Sequence, residues 1–206
     1  MQNLPKLLWT PTDDFVNESN LAKYAAWLRH EQGITFDNYE EIWKWSVTDI
    51  ERFWESIWDY FEVISHTPYK QVLDTKKMPG AKWFNGATLN YAEHIFARKH
   101  ADAPAIIYKT ENCEACELSW AEVESRTASL AAAFREWGLQ AGDCVVGYMP
   151  NIPEASIAFL AACSQGMIWS SCSPDFGVES IVDRFKQIEP KVLIACDGYT
   201  YNGKPY

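Results

Sequence analysis

The 206-residue sequence has no long apolar run, only four histidines and a shortage of basic charge. The run IAFLAAC, Ile157 to Cys163, is far shorter than the roughly 20 residues that span a bilayer, so no membrane partner is expected. Lys and Arg number 18 against 28 Asp and Glu, a formal charge of −10. Nucleic-acid backbones are bound by basic surfaces, so no nucleic acid is expected, and any anionic ligand has to be held by local donors. The start, MQNLPKLLWTPTDDF, lacks a basic stretch followed by an apolar one, so no secretory signal is expected.

Metal and nucleophile patterns are also missing. His30, His66, His94 and His100 stand at no metal-ligand spacing, with His94 and His100 on different faces of an expected helix; all four read as surface residues. No Ser, His and Asp grouping stands out. Of six cysteines, Cys144, Cys163, Cys172 and Cys196 lie in or beside apolar runs, where a free thiol behaves as a small hydrophobe. Cys113 and Cys116 form a lone C-x-x-C in TENCEACELS. A redox pair of this spacing belongs at a helix start after a strand, and a zinc site wants a second pair. Here the pair reads as a turn between short strands, with Glu111, Glu114 and Glu117 as solvated charges around it. The set suits a reducing cytoplasm.

What is present is apolar bulk. Aromatics make up 15% of the chain, with ten Trp, which marks a globular protein. A chain of this length can remove roughly 70% of its unfolded surface from water. Residues 1–83 read as helical and Trp-rich. NLAKYAAWLRHEQG carries Leu21, Tyr24, Ala25 and Leu28 on one face and Gly33 as a stop. In TDIERFWESIWDYF, Thr48 and Glu51 spell a capping box, and Ile50, Phe53, Trp54, Ile57, Trp58 and Phe61 form one stripe. The stripe reads as a face packed on a neighbour in preference to a ligand groove.

Residues 84–206 change rhythm. A loop within KWFNGATLNYAEHIFARKH leads into a helix. AIIY and ELSW suggest a hairpin, and Ser119 with Glu122 caps the helix WAEVESRTASLAAAFREWG. The apolar face of that helix is Val123, Leu130, Ala131, Phe134 and Trp137, and Gly138 ends it. CVVGYM, MIWSSC and VLIAC read as strands; the segments from about Glu154 to Gln165 and VESIVDRFKQI read as helices. Short strands alternating with helices imply right-handed crossovers and a parallel sheet. The last stretch, GYTYNGKPY, imitates a phosphate loop through Gly198, Gly203 and Lys204. Pro205 stands where the magnesium-binding hydroxyl belongs and turns Lys204 away from helical geometry, so a plain turn is the better reading.

YMPNIPEASIAFLAACSQG resembles the strand, M-P-x-I-P-E and helix segment of the acetyl-CoA and acetoacetyl-CoA synthetases, members of the adenylate-forming family. YEEIWKWSVTDIERFW, Tyr39 to Trp54, is similar to the helical lead-in of those enzymes. KWFNGATLNYAEH, Lys82 to His94, resembles their W-F-x-G-x-x-L-N block. SSCSPDFGVESIVDRF and CDGYTYNGK look closest to the acetoacetate-activating branch. The resemblance implies an α/β fold: a helical lead-in over 1–83, then over 84–206 the start of the AMP-binding domain with part of its parallel sheet. It implies a cytoplasmic ligase that uses ATP, Mg2+ and CoA on a small-molecule substrate, acetoacetate. A carboxylate attacks the α-phosphorus of ATP to give an acyl-adenylate and pyrophosphate, and the CoA thiol then displaces AMP.

The family's phosphate loop ending in Pro-Lys, its Tyr-Gly-x-Thr-Glu block, its ribose-binding Asp and its C-terminal lysine have no counterpart here. The chain is therefore expected to be an inactive N-terminal fragment without catalytic residues or a metal site. What the resemblance carries over is part of a CoA site: Ser173, Pro174, Asp175 and Phe176 in one loop, Tyr201, Asn202, Gly203 and Lys204 in another. Lys204 would pair with a phosphate and Gly203 would let backbone approach it. Tyr201 stands where Arg is common, and Pro174–Asp175 replaces a Gly pair; Asp175 would repel an anion. Two other readings stay open, a fragment of an acetyl- or other short-chain acyl-CoA synthetase and a binding module built on the Trp-rich helices. The sequence leaves oligomeric state open.

Overall fold

A computed structural model describes residues 7–100, 102–111 and 113–206. The chain divides into two compact units, one ending at Thr88 and one spanning Leu89–Tyr206. The first unit contains α1 (Asp13–Asn17), α2 (Asn20–Glu31), α3 (Tyr39–Thr48), α4 (Ile50–Tyr60) and an antiparallel ribbon of β1 (Gln71–Leu73) and β2 (Trp83–Asn85). The ribbon departs from the all-helical expectation, and β2 occupies part of the segment read as a loop.

Helix α2 buries Tyr24 and Leu28 as its spacing requires, and Gly33 follows it at φ 64°. The Tyr24 hydroxyl meets Ser56 Oγ of α4 at 2.6 Å. Ser56 has a single proton and gives it to the Phe53 carbonyl at 2.7 Å, so Tyr24 is the donor. The capping box expected at Thr48 does not form. Helix α3 runs on through Thr48, whose hydroxyl donates back to the Lys44 carbonyl at 2.8 Å, and the next cap is Asp49 with no side-chain bond. Threonine inside a helix commonly bonds backward in this way.

The stripe on α4 packs as an aromatic chain. Phe53 meets Trp45 at 5.5 Å, Trp54 meets Trp83 at 5.7 Å, and Trp58 stacks on Phe84 at 4.4 Å. Phe84 holds φ 45°, a region that disfavours a side chain. Its stacking on Trp58 and its edge contact with Tyr69 at 5.3 Å offset that cost.

The second unit begins with α5 (Tyr91–Ala97) and the antiparallel hairpin β3 (Ile106–Tyr108) and β4 (Cys116–Leu118). His100 lies beyond the end of α5, so it shares no helix with His94, contrary to expectation. Next come α6 (Trp120–Glu136), β5 (Cys144–Tyr148), α7 (Pro153–Ser164), β6 (Ile168–Cys172), α8 (Val178–Phe185), β7 (Val192–Ala195), and the short pair β8 (Thr200–Tyr201) and β9 (Lys204–Pro205). The capping box of Ser119 and Glu122 is formed in both directions. Trp137 falls at the C-cap of α6 and stays 60% exposed, its ring tilted on Phe134 at 5.9 Å; the helix ends before the apolar face reaches it.

Strands β6, β5 and β7 form a parallel sheet in that order, with Val145 opposite Trp169 on one side and Val192 on the other. Adjacent residues of β5 point to opposite faces. Val145 packs with Phe134, Ala161 and Ala162 of α6 and α7, while Val146 packs with Ile181 and Phe185 of α8. The chain steps from β5 to β6 in one direction and from β6 across β5 to β7 in the other. Right-handed crossovers then put α7 and α8 on opposite faces. Being covered on both faces explains why CVVGY reads as an unbroken apolar run.

Two small residues are required by close approach. A Cβ on Gly147 would stand 2.7 Å from the Trp169 ring, and one on Gly198 would stand 2.9 Å from the Tyr206 carbonyl oxygen. Asn90 joins two helices of this unit. Its Oδ1 accepts from the Glu93 N–H at 3.1 Å, capping α5, and its Nδ2 donates to the carbonyls of Cys163 at 3.1 Å and Ser164 at 3.2 Å at the end of α7.

Candidate functional site

In open parallel sheets, ligands bind outside the carboxyl ends of the strands where successive connections leave in opposite directions. Here that point is the end of β5. The residues after it, Pro150, Asn151 and Ile152, line a cavity of about 380 Å3 together with Lys109, Thr110 and Glu111 of the β3–β4 turn and Gly198, Tyr199 and Thr200 beyond β7. A larger cavity of about 640 Å3 sits at the start of α6, lined by Asp102, Glu117, Glu122, Glu124 and Lys99 among others. Four carboxylates against one ammonium make that cavity a poor home for an anionic ligand, and it lies away from the strand ends. The smaller cavity is the candidate.

Ser173, Pro174, Asp175 and Phe176 form the loop that follows β6. Ser173 Oγ donates to Asp175 Oδ2 at 2.8 Å, and the Phe176 N–H donates to the Ser173 carbonyl at 3.2 Å. The loop is tied to the end of β5 by the Tyr148 hydroxyl, which points at the carbonyls of Pro174 (2.9 Å) and Phe176 (3.2 Å). The Arg184 guanidinium lies 4.1 Å over the Phe176 ring, a cation–π contact.

Tyr201, Asn202, Gly203 and Lys204 form the tip of a hairpin. Asn202 at φ 51° and Gly203 at φ 71° are its two central residues, the positive pair that a tight two-residue turn of this hand requires. The N–H and C=O groups of Tyr199 and Tyr206 exchange bonds of 3.0 and 2.8 Å, and their rings stack at 5.6 Å. The phosphate-loop imitation at Gly198 to Lys204 is thus a β-turn. The Asn-Gly dipeptide between two tyrosine-bearing segments is a hairpin signal that the sequence reading passed over.

The N–H groups of Asn202 and Gly203 both point at one anion, and it is internal. Glu111 accepts them at 2.7 and 2.8 Å through its two carboxylate oxygens. These bonds hold the Glu111 carboxyl below the usual carboxylate range. Glu111 is therefore a fixed partner of the hairpin and not the solvated charge expected from sequence. Nothing local could have marked it, because its partners lie 91 and 92 residues away. Tyr148 and Tyr199 are the other participants that sequence reasoning missed. Burial, then the charge of Asp175, raises the Tyr199 phenol above its ordinary range.

For a phosphate-bearing ligand the hairpin offers limited chemistry. The backbone donors at Asn202 and Gly203 are already satisfied by Glu111, so Gly203 does not present a free N–H. Lys204 carries no ion pair among the described residues, leaving its ammonium as the one candidate cation at the turn. The Glu111 carboxylate held at the same turn works against an anion there. No group of three or more His, Cys, Asp or Glu that could hold a metal occurs among the described residues. No helix of the described residues is long and apolar enough to cross a membrane.

Comparison with known proteins gives this geometry a context. The family described as AMP-binding enzyme matches residues 94–204, and the acetyl-coenzyme A synthetase N-terminus matches residues 39–95. An acetoacetyl-coenzyme A synthetase of Rhizobium meliloti is 40% identical over 197 residues, covering 96% of this chain and 30% of that protein. An acetoacetyl-CoA synthetase of Macaca fascicularis is 36% identical over 204 residues, covering 98% of this chain and 30% of that protein. The solved structure of an acetoacetyl-CoA synthetase from Streptomyces lividans superposes with a TM-score of 0.90 at 43% identity, covering 98% of this chain and 32% of that one. The chain spans about a third of the length of the relatives it matches.

Proposed function

The chain belongs to the AMP-binding enzyme family, and on that footing we propose that it is the N-terminal portion of an ATP-dependent acetoacetate–CoA ligase. The observation that carries this reading is the likeness to acetoacetyl-CoA synthetases over 96% and 98% of the chain at 40% and 43% identity. The complete protein would join acetoacetate to CoA through an acyl-adenylate, releasing AMP and pyrophosphate, with Mg2+ assisting in the cytoplasm. Adenylation is needed because a carboxylate is a poor acyl donor, and the charge that develops on the phosphates needs fixed donors or a metal. This chain supplies architecture for that reaction: the lead-in helices, the first parallel strands and the crevice at the end of β5.

Within that reading, the loop Ser173–Phe176 and the hairpin Tyr201–Lys204 border the nucleotide end of CoA. Lys204 is the residue whose chemistry fits, as a point charge toward a phosphate. Tyr148 fixes the first loop and Glu111 fixes the hairpin, so both act as positioning residues.

Two measurements test the proposal. The coding region after Tyr206 should continue in frame into a Thr/Gly-rich loop ending in Pro-Lys; a stop codon there would favour a self-contained binding module. In the complete protein, Lys204→Ala should raise the KM for CoA while leaving acetoacetate-dependent pyrophosphate exchange intact. Unchanged CoA kinetics would remove Lys204 from the site. Pyrophosphate release by the 206-residue chain alone would overturn the fragment reading altogether.

A further inference from the structure

Cys113 and Cys116 stand apart from the other four cysteines. Both are half-buried, as are Cys144, Cys163 and Cys196, but Cys113 lies in the β3–β4 turn and Cys116 opens β4 beside it, where Thr110, Glu111, Glu114 and Ala115 are exposed. The Cys113 N–H donates to the Thr110 carbonyl at 3.4 Å, and Thr110 Oγ1 lies 3.0 Å from Cys113 Sγ. The Cys116 thiol donates to the Glu114 carbonyl at 3.4 Å. Two thiols three residues apart are thus each hydrogen-bonded to groups of one solvent-facing hairpin end. The Thr110 hydroxyl and backbone hold the Cys113 thiol below its ordinary range, which enlarges the reactive thiolate fraction. Burial does the reverse to Cys163, and Cys172 is buried against the sheet.

We propose that Cys113 and Cys116 form a thiol–disulfide exchange site for small neutral or cationic disulfides. The helix start that usually activates such a pair is replaced here by a threonine in a hairpin turn. The charge preference follows from Glu111 and Glu114 of the same turn, against Lys109, which lies 3.9 Å from Glu114. Cys113, having released its proton, attacks one sulfur of the small disulfide. A Cys113–S–S–R bond forms, and the departing thiolate takes up a proton. Cys116 then gives up its proton and attacks the Cys113 sulfur. The Cys113–Cys116 bond forms, and the second small thiolate leaves and is protonated. Two protein thiols are oxidised and one disulfide is reduced to two thiols.

The test treats the whole reduced chain with cystamine or, separately, with oxidised glutathione, and follows products by peptide-mapped mass spectrometry. Cystamine should remove two hydrogens from the Cys113–Cys116 peptide before any other cysteine reacts. It should do so at least about tenfold faster than the anionic glutathione disulfide at low salt, with the gap narrowing as salt screens the carboxylates. Cys116→Ser should trap a persistent mixed disulfide on Cys113. First reaction at Cys144, Cys163, Cys172 or Cys196 would overturn the site, as would an unchanged cystamine rate in Cys113→Ser. Equal rates for the two disulfides at low salt would overturn the charge preference.

Discussion

Replacing Asn90 tests whether one amide side chain holds two helices of the second unit together. Asn90→Ala removes the cap on α5, for which Asn to Ala changes cost about 0.5–2 kcal/mol. It also removes the two donated bonds, 3.1 and 3.2 Å, to the end of α7. Each such bond contributes roughly 0.5–1.5 kcal/mol net, and water can reach part of the site, so a total loss of about 2–4 kcal/mol is expected. With a urea slope of about 1–3 kcal/mol per molar, the midpoint should fall by about 1 M or more, read by far-UV circular dichroism. Asn90→Ser keeps an oxygen for the Glu93 N–H and loses only the donors, so it should fall between the two. Asn90→Asp keeps a good cap but aims a carboxylate at two carbonyls of a helix C-terminus, where negative charge is unfavourable. It should therefore be less stable than Asn90→Ser at neutral pH. If Asn90→Asp matches the natural chain, the amide bonds to α7 contribute nothing and the argument fails.

Gly147→Ala places a methyl group 2.7 Å from the Trp169 ring, and overpacking of this kind costs about 1–3 kcal/mol; a blue- or red-shifted Trp169 fluorescence with lowered stability checks it. Tyr24→Phe leaves the buried Ser56 oxygen without the donor that meets it at 2.6 Å and should cost roughly 1–3 kcal/mol by chemical denaturation. Glu111 gives a pH prediction. Its folded carboxyl is held low by the Gly203 and Asn202 N–H groups, so its contribution is fully present above the unfolded value of about 4.3 and is lost as pH falls through the lower folded value. Amide exchange at Asn202 and Gly203 should stay slow above about pH 5 relative to unprotected amides and accelerate only on deeper acidification, whereas Glu111→Gln should abolish that dependence.

Much of the architecture was legible residue by residue. The alternation of short apolar runs with helical periods marked β5, α7, β6, α8 and β7; in β5 the run is continuous because that strand is buried on both faces of the parallel sheet, whereas the edge strands β6 and β7 stay partly exposed. Ser119 and Glu122 marked the start of α6 because a capping box closes within one turn of chain. The same pattern misled at Thr48, where the helix before it had not yet ended and its own carbonyl claimed the hydroxyl. The resemblance pointed to the loop after β6 and to the hairpin, but neither propensity nor spacing disclosed what holds them.

The sequence by itself determined the period of the longer helices and of the parallel strands and the family likeness, since each is written in neighbouring residues. Tertiary structure alone decided that Glu111 occupies the hairpin's donors, that Tyr148 ties down the loop after β6 and that Asn90 serves two helices. The reason is distance along the chain: apart from the local Asn90 cap on α5, these bonds join groups 26 to 92 residues apart, and no local preference records which distant group the folded chain will bring within reach.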